Sequence, residues 1–120
     1  MSLKENIKIY RYLFVSEFLE NRKAKILGKI VENIFQPGIY LITLAQNKHD
    51  QLEFYSTLLL KQHVYENTPI FLVGIADGYD DAVFMVERIT RMVYDQTGTA
   101  DIRKYILEKQ QEYETGKEQV

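Results

Sequence analysis

Hydrophobic and polar positions first alternate along residues 7–15. Ile7, Ile9, Leu13 and Val15 fall on one side of an extended chain, and Lys8, Tyr10, Tyr12 and Phe14 on the other, with Arg11 on the aliphatic side. A period of two in β-branched and aromatic residues predicts a strand, and its charges place it at a sheet edge. From 16 to 35 the period becomes helical. Leu19, Ile26, Leu27, Ile30, Val31 and Ile34 recur at helical spacings, with Ser16 or Asn21 available as N-cap. Gly28 weakens that helix by roughly 1 kcal/mol relative to Ala. Pro37-Gly38 closes it, because proline disfavours helix at the residue before it.

Two runs are apolar throughout, at 39–45 and 69–76. Continuous hydrophobicity is the habit of strands covered on both faces, as in parallel sheets. Between them, Asn47 followed by Asp50 reads as a helix start, and Leu52, Tyr55, Leu58, Leu59 and Gln62 as one helical stripe over 47–65. The segment 39–76 therefore predicts a βαβ unit with a right-handed crossover. Ala82, Met85, Val86, Ile89, Met92 and Val93 then mark a helix ending at Gly98, and Ile102, Tyr105 and Ile106, with Tyr113, mark a last one capped by Thr99 or Asp101. The expected fold is α/β: a small, mainly parallel three-stranded sheet in the order β-α-β-α-β-α-α, helices on both faces. One domain spans 1–109, followed by a polar, fraying tail at 110–120.

Composition narrows the function. The 120 residues hold no Cys, which removes thiol nucleophiles, disulfides and Cys-zinc sites. The net charge of −2 supplies no global field for nucleic acid or an anionic membrane. No apolar run approaches the roughly 20 residues needed to cross a bilayer, and the first residues lack the core of a signal peptide. We therefore expect a cytoplasmic protein with no membrane contact. Nine Tyr and six Phe, on a sheet with two edges, suggest a homodimer and a protein-binding role.

In parallel sheets, ligands sit beyond the carboxyl ends of the strands. Those ends carry Ser16-Glu17, then Gln46, Asn47 and His49, then Asp77, Tyr79 and Asp80. Asn47, His49, Asp77, Tyr79 and Asp80 are the candidate ligand-binding residues. The loop from Asp77 to Asp81 has one Gly and three carboxylates, so it suits a divalent cation better than a phosphate. Its simpler account is a cap at Asp77 or Gly78, with Asp80 and Asp81 complementing the helix dipole. His49 could serve as an acid or base beside that site. Arg22, Lys23, Lys25 and Lys29 form a basic segment that could meet RNA or an acidic partner, although a solvated helix face explains it equally simply. No nucleophile or cofactor motif occurs, so no catalytic residue and no cofactor are assigned.

Three stretches, IYLITLA at 39–45 followed by Gln46-Asn47, VGIADGYDDA at 73–82 and VYDQTGTADIRKYI at 93–106, are similar to a group of small α/β proteins of anaerobic Gram-positive bacteria. The likeness covers roughly residues 39–107. It implies a bacterial cytoplasmic protein, and no activity or ligand comes with it.

Overall fold

A computed structural model describes residues 6–47, 49–61 and 69–116. Strand β1 (Ile7–Val15) leads through a 3-10 turn at Glu20–Arg22 into α1 (Lys23–Val31). Strands β2 (Ile39–Leu44) and β3 (Leu52–Ser56) follow, then the short α2 (Thr57–Lys61) and β4 (Ile70–Asp77). Helices α3 (Tyr79–Thr97) and α4 (Ile102–Thr115) complete the described chain. The sheet has four strands in the order β1-β4-β2-β3.

This corrects the expected mainly parallel three-stranded sheet. Only β1 and β4 run parallel, whereas β2 is antiparallel to both β3 and β4. The helix expected over 47–65 is instead a hairpin strand followed by one turn of helix, so 39–76 is no βαβ unit. Leu52 and Phe54 pack beneath α3 and α4, while Tyr55 packs on the opposite face. That is the period of a strand. The residues expected beyond Lys61 in that helix lie outside the described residues.

The alternation in β1 holds. Ile7, Ile9, Leu13 and Val15 join Ile26 and Ile30 of α1 on one face, and Tyr10 and Phe14 join α3 and α4 on the other. The strand is at an edge, as its charges suggested. Helix α1 is shorter than expected. It ends in a Schellman motif, with Asn33 at φ 59° and the N–H groups of Asn33 and Ile34 donating to the carbonyls of Ile30 and Lys29. Asn33 thus stops the helix before Pro37 is reached.

Strand β4 is the centre of the sheet and changes phase along its length. Ile70 and Leu72 face α1, Phe71 and Val73 face α3, but Ile75 faces α1 again. The register against β2 shifts between Ile42, opposite Gly74, and Thr43, opposite Leu72. The unpaired residue is a β-bulge, which turns the end of the strand. Helix α4 continues past Gln110, whose buried side chain is part of the core's edge.

Candidate functional site

Because β1 and β4 are parallel, their carboxyl ends open at the same place. The Ser16 N–H extends the ladder by donating to the Ile75 carbonyl at 3.1 Å, and the Ser16 carbonyl accepts from the Leu19 N–H at 2.9 Å. That tight turn sends Leu19 fully into the core and leaves Phe18 exposed at 64%. On the β4 side, Gly78 at φ 104° makes the break between strand and helix, a backbone region that side chains disfavour. The Asp77 N–H donates to Asp81 Oδ2 at 2.8 Å, so one carboxylate of the first helical turn fastens the end of the strand. Asp80 and Asp81 both sit at the positive end of the α3 dipole.

Between these two strand ends lies an open recess of about 450 Å³, walled by Ser16, Glu17, Phe18, Asp77, Asp80, Asp81, Phe84 and Arg88. The Arg88 guanidinium is turned onto the Phe84 ring, 5.6 Å from its centre. The recess adjoins a narrower apolar slot of about 200 Å³ under α3, and the two share Val15, Met85 and Arg88. Phe14, Ile89 and Met92 complete the slot. Phe14 and Met92 also border a third hollow of about 300 Å³, which reaches Tyr105, Lys109 and Glu112 of α4. The three form one groove beside β1, acidic at the strand ends and apolar along its floor.

The expected ligand set is split by the strand directions. Asp77 and Asp80 line the recess. Tyr79 turns away, its ring 5.4 Å from Phe54 and 6.2 Å from Tyr40. Asn47 and His49 lie at the other end of the sheet, because Ile39 at the start of β2 pairs with Asp77 at the end of β4. Gln46 Nε2 accordingly donates to the carbonyl of Pro69, just before β4. At a rise of about 3.3 Å per residue, β4 separates the two groups by roughly 23 Å.

Asn47 has a structural task instead. Its Oδ1 accepts from the N–H groups of His49 and Asp50, and its Nδ2 donates to Asp50 Oδ2, closing the hairpin loop. Arg103, at the start of α4, fastens the same loop by donating to the carbonyls of Ala45, Asn47 and Asp50. Arg22, Lys23 and Lys25 are exposed, and Lys29 is half-buried, along the 3-10 turn and α1. Among the described residues, no group of three or more His, Asp and Glu is placed to hold a metal ion.

The residues that sequence reasoning did not assign to a site are Glu17, Phe18, Phe84, Arg88 and the groove floor. Met85 and Met92, seven positions apart, carried the available signal, and their spacing marked them as core. They are core on one side and groove floor on the other. No helix of the described residues is long and apolar enough to cross a membrane. No family model, curated protein or solved structure matches the chain.

Proposed function

We propose that the chain is a non-catalytic interaction module of the bacterial cytoplasm that acts as a homodimer and binds a protein partner. The observation that supports this most is an apolar patch outside the core. Ile34, Phe35 and Leu58 are exposed at 47%, 41% and 42%. They stand on neighbouring segments joined by buried hydrogen bonds. The Gln36 N–H donates to Thr57 Oγ1 at 2.9 Å, and the Thr57 hydroxyl donates to the Gln36 carbonyl at 3.0 Å. The Schellman motif at Asn33 fixes the other side of the patch. Apolar side chains held outward on an ordered backbone lose little entropy on contact, which favours association.

The tyrosines contribute less than their number suggested. Tyr10 and Tyr55 are buried, and the exposed rings of Tyr12 and Tyr113 meet each other edge to face at 6.3 Å.

Sedimentation velocity over a wide concentration range tests the reading. A monomer–dimer equilibrium is expected. Replacing Phe35→Ser and Leu58→Ser together should weaken it at least about tenfold, the equivalent of roughly 1.4 kcal/mol. A wild-type chain that stays monomeric at the highest concentration rejects self-association.

A further inference from the structure

We propose that the groove beside β1 binds an organic cation with an apolar body, the chemistry of an aralkylammonium ion. The head would sit in the recess at the strand ends and the body in the slot beneath α3. The floor of the slot is Phe14, Val15, Met85, Ile89 and Met92. Methionine side chains adapt to irregular apolar guests, and the two here face the same slot.

The charge at the mouth decides which amphiphile fits. Glu17, Asp77, Asp80 and Asp81 wall the recess against a single guanidinium, that of Arg88. The guanidinium is stacked on Phe84, and the excess of carboxylates leaves the mouth negative. An anion of the same shape is repelled there, and a cation is drawn in. Phe18 and Phe84, exposed at 64% and 55%, add aromatic faces on which an ammonium group can rest. The carboxylates are spread along the wall, and no three of the described acidic or His residues are placed to hold a metal. Spread charge suits a large, diffuse head better than a compact ion that demands converging oxygens. The volume is also suitable: the recess alone, at about 450 Å³, lies within the range of small-ligand pockets.

This site is independent of the self-association patch. The slot lies on the α3 face of the sheet, whereas Ile34 and Phe35 follow α1 on the opposite face.

The test is a titration of the full chain, methyl-labelled at methionine, followed by NMR. The probes are 4-phenylbutylammonium, 4-phenylbutyrate (same body, opposite charge) and butylammonium (same head, no ring). Only the first should shift the methyl signals of Met85 and Met92 saturably. Glu17→Gln with Asp80→Asn, both at exposed positions, should weaken that binding about tenfold and flatten its salt dependence, with an unchanged circular-dichroism spectrum. Met92→Gln should weaken it while leaving the salt dependence intact. Several outcomes overturn the proposal. These are no saturable shift, equal binding of the phenylbutyrate, or full shifts with butylammonium. Shifts that follow protein concentration instead of probe also overturn it, since a second copy would then fill the groove. So does indifference to the carboxylate replacements.

Discussion

Two glycines show how far a single atom reaches. A Cβ on Gly74 would stand 2.9 Å from the carbonyl oxygen of Phe14 and 3.3 Å from its Cβ. The clash is with backbone, so neither partner can swing aside. Gly74 is where β1 and β4 come together again after the register shift, with Phe14 opposite it. Gly74→Ala should therefore cost about 1–3 kcal/mol through overpacking. Gly28 is the opposite case: it lies inside α1, is exposed, and a Cβ there would meet nothing within 4 Å. Gly28→Ala should stabilise by about 0.5–1 kcal/mol, the difference in helix propensity. Urea unfolding of both variants checks the pair, and equal signs would contradict this account. In the sequence each glycine simply interrupts an apolar run. What separates them is the distance to another strand, and no local pattern encodes that.

Edge strand β1 is managed by a neighbouring helix. The Arg11 N–H donates to Gln110 Oε1 of α4 at 2.8 Å, and the Arg11 guanidinium lies over the Tyr113 ring at 4.9 Å. Gln110 Nε2 donates to Glu114 Oε2 at 2.9 Å, and Lys8 Nζ reaches the same oxygen at 2.7 Å. A strand edge that would otherwise offer its polar backbone to another chain is thereby occupied. The hydrogen bond from Gln110, and next the contact with Lys8, hold the Glu114 carboxyl below its ordinary value of 4.5. A carboxyl acidified by folding contributes stability above its unfolded value and loses it as pH falls through the lowered one. Glu114→Gln should thus lower the melting temperature slightly at neutral pH and make no difference in strong acid. The effect is small because the carboxylate is solvated. A gap between variant and wild type that persists in acid would show that charge is not its source. The strand itself was legible from its period, and so were α3 and the acidic loop before it. The hairpin was not. Asn47 and Asp50 have the spacing of a helix cap but close a turn, and Leu52, Tyr55, Leu58 and Leu59 keep helical spacing across a strand–helix junction. A five-residue strand holds too few periods to outvote that coincidence. The site followed suit. Ser16-Glu17 and Asp77-Asp80 meet because β1 and β4 really are parallel, while Asn47 and His49 were assigned to the wrong end by the misread direction of β2.

In the whole molecule, β1 is the part with the longest-range attachment. Its ladder is to β4, over sixty residues away, and its outer side rests on the last turns of α4, about a hundred residues away. Hairpin β2–β3, by contrast, closes over the short 45–51 loop. Contacts that close long loops come at the greatest entropic cost, so β1 and the end of α4 should form and loosen as one unit. A chain ending at Lys109 keeps most of α4 but loses Gln110, Tyr113 and Glu114 together. It is expected to retain its β2–β3 and β4 hydrogen-exchange protection, to lose protection in β1, and to scatter light as uncovered β1 edges pair between molecules. It should also lose part of the groove, since Glu112 borders the hollow that Tyr10 and Tyr12 share with α4. Gln110→Ala alone should give the same pattern more weakly, because Tyr113 and Glu114 still cover the strand. If the shortened chain stays monodisperse with β1 fully protected, then β4 alone holds the edge strand, and α4 has no part in guarding it.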